Sequence, residues 1–553
     1  MTGQRAALRI ALMVPAQVAS RHAAALLEWA VVRDDLDINH LIIAGPGARS
    51  DAAIERRALR GGRLRRQVFA AVIGFERRVL GLRSKTTWRV DRCSLAPLVA
   101  HRVDVATSVP RTGGPASIDA ADVERIERLE LDLIICVGMP RLGGSIVRAA
   151  RLGVIGVIDA ADPGADPDDA DLEGFWEVLT RAESTRFGVR LLRDATADAC
   201  IARGACMTER TYLLNRASVV RKTFAQLRSV LARAARDGAL PAATDVAPDD
   251  TGARLPGVGA SLRYLVDLLG RMASRAVLRR LKIDQRWNVS YVYADWRNVD
   301  LRTARTMPWM RGRYLADPFV LERGGRTFLF VEDFVYRTGR GHISVFELLA
   351  DGPRELGICL QEPFHLSFPF LFEFEGNLYM CPETNEAREV RVYRCDEFPL
   401  RWSLAAVLMH EIVAADPVLF ERDGRWWLLL NRDYAADGDL CWALDIYSAD
   451  SPLSNKWIPH PLNPVCTDSL CARNGGFLVE GTLRFRPAQR QGFNLYGLGL
   501  SIFEIELISA DNYRERLVRV IKPDFHPGLI GVHHMTSTGH LTVVDHLSWS
   551  YIG

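Results

Sequence analysis

Residues 415–428 open with Ala415-Asp416-Pro417-Val418, turn at Asp423-Gly424 and return through Trp426-Trp427-Leu428. A short acidic motif starts a strand, a Gly turn reverses the chain, and an aromatic strand comes back. The same phrase occurs at Ala316-Asp317-Pro318-Phe319, Gly324-Gly325 and Thr327-Phe328-Leu329-Phe330. A third copy reads Phe368-Pro369-Phe370-Leu371-Phe372, Glu375-Gly376 and Leu378-Tyr379-Met380. Self-similarity at roughly 50-residue spacing is the mark of a β-propeller. Propellers gather equivalent residues of successive blades around one axis, so carboxylates scattered along the chain meet in one pocket.

Outward from these copies, residues 286–553 alternate short Phe-, Tyr-, Trp-, Leu- and Val-rich strands with Gly, Asp and Asn turns, without helical periodicity. The expected fold of this part is a five-bladed β-propeller whose units begin near Leu315, His365, Ile412, Ser469 and His526. Breaking a glycosidic bond takes one carboxylic acid to protonate the leaving oxygen and a second carboxylate opposite it, roughly 5 to 5.5 Å away for retention or about 6.5 to 9.5 Å for inversion. Asp317, Glu383 and Asp416 are the expected catalytic set, with Glu383 as proton donor and Asp317 as base or nucleophile. Asp416 then orients substrate and raises the acid's pKa by like-charge repulsion. The competing reading is structural, since Asp-Pro at a strand start fixes a turn by accepting backbone N–H bonds.

Other polar residues complete an expected substrate pocket: His365 and Ser367 before an inner strand, Glu332 and Asp333 at a strand end, Arg473 and Gln489 for hydroxyls or phosphate, and His533 with His534 ahead of the last strand, which contains Asp545. Each lone His has the competing reading of a hydrogen-bonded structural residue. Trp402, Trp426, Trp427 and Tyr496 read as blade packing, although one exposed ring would stack on a sugar.

Two resemblances attach to these residues. The Ala-Asp-Pro openings at Asp317 and Asp416, with Pro382-Glu383-Thr384 between them, are similar in arrangement to the five-bladed glycosidases that include arabinanases, xylosidases and invertases. Residues 313–546 resemble the N-terminal region of plant glucosamine inositolphosphorylceramide transferases and related bacterial proteins. That resemblance runs through His365-Leu366-Ser367-Phe368-Pro369, Tyr379-Met380-Cys381-Pro382-Glu383, Phe398-Pro399-Leu400-Arg401-Trp402 and Arg486-Pro487-Ala488-Gln489. In the plant enzymes the sugar-transferase module lies after this region, so transferase activity is not implied by the resemblance.

The first half has a different grammar. Leu8 to Val14, Ile38 to Ala44 and Leu131 to Val137 are apolar runs separated by helically spaced stretches such as Ala19 to Val32, which predicts an α/β domain with a mostly parallel sheet. Leu131 to Pro140, Gly153 to Ile158, Gly174 to Val178 and Phe187 to Leu191 resemble the folate-dependent formyltransferases, which implies a Rossmann-like parallel sheet over about residues 8–225. That family's Asn and His fall at Gly156 and Ile158, and its Asp falls near Thr196, with Asp194 and Asp198 beside it. The resemblance thus implies a pseudoenzyme scaffold, with formyl or acyl transfer as the alternative. The acidic loop Asp159 to Asp171 disfavours an anionic cofactor such as folate; Asp162, Asp166 and Asp168 lack the Gly and terminal Glu of a calcium loop.

The remaining features bound the function. The chain has 553 residues, 48% hydrophobic, with a formal net charge of +3, which excludes a general attraction to nucleic acid. Residues 1–236 form the expected first domain, and 237–285 a Pro- and Gly-containing linker followed by a basic amphipathic helix. Arg-rich stretches at Arg56 to Arg92 and Arg263 to Lys282 read as solvated helix faces, with peripheral contact to an anionic membrane as the second reading. The ten Cys lack metal-ligand spacing, and no cofactor or metal is expected. The apolar N-terminus is interrupted by Arg9 and fits a buried strand better than a signal segment, so a cytoplasmic protein is expected. The function these features predict is binding, with cleavage or transfer, of a glycosyl group on a glycan or glycoconjugate. The alternative is a non-catalytic glycan-binding or assembly protein in surface-polysaccharide or glycolipid synthesis.

Overall fold

The computed structural model describes residues 6–46, 52–83, 91–108, 115–157, 172, 174–194, 198–245 and 255–552, of which 46, 52–63, 82–83 and 245 are described by backbone only. The chain divides into two compact units, Met1–Gly270 and Arg271–Gly553. No helix among the described residues is long and apolar enough to cross a membrane.

The first unit is α/β with a mixed sheet. Its centre is parallel, in the order Val154–Val157, Leu133–Val137, Leu8–Val14, Leu36–Pro46 and His101–Ser108. Leu133–Val137 is buried along its whole length, as an apolar run covered on both faces requires. The sheet departs from the expected parallel pattern beyond Val154–Val157, where Ser184–Leu191, Ala199–Met207 and Thr244–Asp245 continue it antiparallel. The connection from Leu191 to Ala199 is too short for a crossover, and a short connection permits only an antiparallel return. Helix Arg21–Val31 begins where Ser20 Oγ accepts the Ala23 N–H at 3.3 Å, and it packs with helix Tyr212–Asp237 into the core on one face of the sheet.

The second unit is a five-bladed propeller. The first blade is Arg313–Arg323, Arg326–Val335, Arg340–Leu349 and Gly352–Leu360, and the second is Ser367–Phe374, Asn377–Glu383, Glu389–Glu397 and Arg401–His410. The third is Ala414–Arg422, Arg425–Arg432, Leu444–Ala449 and Ile458–Pro459, and the fourth is Leu478–Glu480, Leu483–Gly492, Leu495–Ile508 and Tyr513–Ile521. The fifth blade joins the two ends of the unit. Ile283–Val292 pairs along its full length with Thr542–Tyr551, which also carries Leu529–Gly531 and Met535–Ser537. The ring is therefore closed by a strand that begins at Ile283, within the stretch read as linker and helix.

The repeated phrase has a structural cause. Ladder pairing shifts between Ala316 and Phe319, between Ser367 and Phe370, and between Ala415 and Val418. At each bulge one residue adopts a left-handed backbone: Asp317 at φ +47°, Phe368 at +48° and Asp416 at +50°. Asp tolerates that region better than most residues, and the following Pro has no N–H to lose from the ladder.

Candidate active site

The bulges place Asp317 and Asp416 where the inner strands of neighbouring blades meet. Asp545 Oδ2 accepts the Asp317 N–H at 3.2 Å, and Asp317 Oδ2 accepts the Phe368 N–H at 3.2 Å, so the fifth, first and second blades are stitched in sequence. Asp416 accepts from Arg473 Nε at 2.7 Å and from Gln489 Nε2 at 3.1 Å, while Asn474 Nδ2 donates to the Asp416 carbonyl at 2.8 Å. Arg473 Nη2 also reaches Glu383 Oε2 at 3.4 Å. Glu383 stands opposite Ser367 in the second blade and accepts from Asn385 Nδ2 at 2.6 Å. It packs at the junction of the second and third blades beside Pro382, Thr384, Ala415 and Pro417.

Asp317, Glu383 and Asp416 are all buried, at 5%, 5% and 1% exposure, and they share one electrostatic field. Burial, then repulsion from Asp416, holds the Glu383 carboxyl well above its usual range against the opposing pull of Arg473. Burial likewise raises Asp317 to about 7, with His533 pulling it down and Asp416 and Asp545 pushing it up. A carboxyl whose pKa is raised by burial and neighbouring acids is what a proton donor needs.

His533 joins this group. Its Nε2 is 3.5 Å from Asp317 Oδ1 and its Nδ1 is 2.6 Å from Asp545 Oδ2. Burial opposes the charge on His533, yet Asp545 raises its pKa overall, and the same pairing lowers that of Asp545 despite burial. Trp287 stacks on the imidazole at 3.9 Å, and Tyr496 meets it edge-on at 5.2 Å while lying 5.1 Å under the Arg473 guanidinium. Tyr496 thus contacts both Arg473 and His533.

The other expected residues divide. Glu332 is drawn in: Tyr314 donates to it at 3.4 Å, His365 Nε2 lies 3.5 Å away, and burial followed by Asp317 and Glu383 raises its pKa well above the usual range. His365 accepts the Gly341 N–H at 2.8 Å, and burial lowers its pKa. Asp333 points to the other side of its strand, bound to Arg313 at 2.6 Å and Ser344 at 2.9 Å, because successive side chains alternate faces. His534 lies edge-on to Phe319 and Phe368; burial takes its pKa down to about 3, so it is a neutral ring in an apolar setting. Trp402 donates to the Pro399 carbonyl and meets Phe330 edge-on, while Trp426 packs against Phe372 and Phe374. Asp545 received no role from the sequence because the fifth blade carries His533-His534-Met535 where the first and third carry Asp-Pro.

In the first unit, Gly156 lies on the strand Val154–Val157. Asp198 is committed to Arg141 at 3.1 Å, and Asp194 accepts the Gly144 N–H at 2.5 Å. Ile158, Thr196, Asp162, Asp166 and Asp168 lie outside the described residues.

Comparison with known proteins concerns the second unit. Residues 303–528 match the family described as glucosamine inositolphosphorylceramide transferase 1, N-terminal. Glucosamine inositolphosphorylceramide transferase 1 of Oryza sativa subsp. japonica is 39% identical over 209 residues, covering 36% of this chain and 27% of the relative. The protein of the same name from Arabidopsis thaliana is 36% identical over 208 residues, with the same coverage of 36% and 27%. The chain therefore spans only 27% of the length of these relatives. Among solved structures, Zg3597, a family 117 glycoside hydrolase of Zobellia galactanivorans, is similar with a TM-score of 0.32 and 14% identity over 48% of this chain and 90% of that one. The α-L-arabinanase of Cellvibrio cellulosa has a TM-score of 0.28 and 12% identity over 37% and 77%.

Proposed function

We propose that the propeller binds a glycan or glycoconjugate at its acidic centre and breaks or transfers a glycosyl bond there. The observation that carries this reading is the buried Glu383, its pKa raised by burial and Asp416, 3.4 Å from Arg473 and in the same field as Asp317. Glu383 protonates the leaving oxygen, the Asp317 side supplies the opposing base, and Asp416 with Arg473 positions substrate. The names of the sequence relatives agree with a glycoconjugate substrate. Glu383→Gln should abolish product release from an oligosaccharide or glycolipid panel while leaving binding intact; undiminished turnover would reject the donor role.

A second reading is favoured by one observation: Asp317 Oδ2 and both oxygens of Asp416 are spent on holding blades together. On that reading the propeller binds glycans without turnover, and saturable binding with no product from the wild type would select it. We take the first unit to be a formyltransferase-like scaffold without its acid, amide and imidazole set, in a protein of the cytoplasm. Measurable affinity for a folate or acyl-coenzyme donor would restore acyl transfer as its function. The helix Val258–Arg280 exposes Leu262, Val266 and Leu269 beside Arg263, and we assign to it the peripheral contact with anionic membrane. Co-sedimentation with anionic but not neutral vesicles tests that contact.

A further inference from the structure

We propose that Asp317 Oδ1 and His533 Nε2 are ligands of a divalent first-row metal ion of the zinc or manganese type, with Asp545 as the residue that positions the imidazole. The two oxygens of Asp317 differ in their work. Oδ2 accepts the Phe368 N–H, whereas Oδ1 is buried and has no hydrogen-bond partner. A buried carboxylate oxygen in that condition requires a cation or a donor. His533 Nε2 faces it at 3.5 Å, long for a hydrogen bond. That separation is what two ligands about 2.1 Å from a common ion at a tetrahedral angle would have.

The far side of the imidazole faces a carboxylate. Nδ1 lies 2.6 Å from Asp545 Oδ2, an ion-pair contact without hydrogen-bond geometry as the ring stands, which sets that carboxylate against Nδ1 and leaves Nε2 for the ion. Asp545 Oδ1 accepts the N–H groups of His533 and His534 at 3.0 and 2.9 Å, and Oδ2 accepts that of Asp317. One carboxylate therefore frames both ligand-bearing segments. Its own ligand-capable oxygen lies within 4.8 Å of the other two donors, close enough to join the ion if the ring shifts.

An imidazole paired with a carboxylate suits zinc or manganese, whereas calcium prefers an all-oxygen set. The remaining positions of the ion would take water or sugar hydroxyls, and a water so bound is a base at neutral pH. The ion would thus make the Asp317 side act through bound water. Its binding does not depend on the glycosyl reading.

The full chain, stripped with chelator and dialysed, is titrated separately with Zn2+, Mn2+ and Ca2+ by calorimetry. About one zinc or manganese ion per chain is expected, with Ca2+ at least roughly tenfold weaker. His533→Ala should abolish binding, and Asp545→Asn should weaken it by about 10- to 100-fold. The Cys466 and Cys471 sulfurs, 3.4 Å apart, are the alternative zinc site; Cys466→Ser should leave binding unchanged. Because Asp317 also stitches blades, the ligand type is read instead from Co2+ spectra of the wild type, where nitrogen and oxygen ligands give no thiolate charge-transfer band. Absence of stoichiometric binding, binding that survives His533→Ala, or binding lost in Cys466→Ser would overturn the assignment. A metal-loaded protein without glycan turnover would reject only the enzyme reading.

Discussion

Arg473 shows how one side chain can decide the character of the acidic centre. Read from the sequence it is a candidate for hydroxyls or phosphate; in the fold it lies between Asp416 at 2.7 Å and Glu383 at 3.4 Å. Removing one member of a buried ion pair leaves an uncompensated charge, which costs about 3 to 5 kcal/mol. Arg473→Met should therefore lower propeller stability by about that amount in urea denaturation, and adding Asp416→Asn should recover part of the loss, as coupled neighbours do. Equal stability of Arg473→Met and wild type would show that the clamp contributes nothing. The neighbouring Glu332 and Asp333 mark a limit of sequence reading at this scale. Adjacent acids look equivalent along the chain, but strand alternation sends one toward Asp317 and the other to Arg313.

At the scale of elements, the repeated Asp-Pro phrase was legible because a bulge needs both a residue tolerant of left-handed backbone and one that does not miss a ladder bond. The second blade keeps the bulge with Phe368 in place of Asp, and Asp317 serves that position from the blade before. The outer strands of the first blade carry a device the repeats did not announce: Glu347 between Arg326 and Arg354. The Arg326 hydrogen bond, ahead of the burial that opposes it, and then the Arg354 bond hold the Glu347 carboxyl down to about 2. Between that value and the unfolded value near 4.3, the folded state binds fewer protons than the unfolded one. The stabilisation is thus complete above the unfolded value and is lost as pH falls toward about 2. Glu347→Gln should flatten the acid side of a denaturation-midpoint profile; an unchanged profile would remove Glu347 from the account. In the first unit, the start of helix Tyr212–Asp237 is satisfied from far along the chain. Tyr264 Oη accepts the Tyr212 N–H at 2.8 Å and donates to Glu76 Oε2 at 2.7 Å, while Glu76 Oε1 accepts the Leu213 N–H at 2.8 Å. Tyr264→Phe removes both of its hydrogen bonds at this buried junction, so a loss of about 1 to 3 kcal/mol is expected by chemical denaturation, and a loss below experimental error would contradict the role.

For the whole molecule, the closure of the ring was the part least visible in the sequence. Repeats disclose local hairpins, but the fifth blade is made from Ile283–Val292 and Thr542–Tyr551, segments at opposite ends of the unit that share no phrase with the other blades. The same non-local pairing puts Asp545, opposite Val289, next to His533 and the Asp317 N–H. Closure and the candidate site are therefore one event: the strand that removes the exposed edges of the first and last segments also delivers the carboxylate that frames the acidic centre. A chain ended at Gly539 should lose both together, because Ile283–Val292 then keeps only its two-residue pairing with Arg305–Thr306 and Asp317 has no partner for its N–H. Ending instead at Ser550 removes only Tyr551 from the ladder, along with the end of the chain, and should leave a protease-resistant propeller. Limited proteolysis of the two truncations distinguishes these outcomes. A resistant core of residues 313–521 in the shorter chain would mean that four blades stand without the closing pair, and that the acidic centre is held by Arg473 and its partners alone.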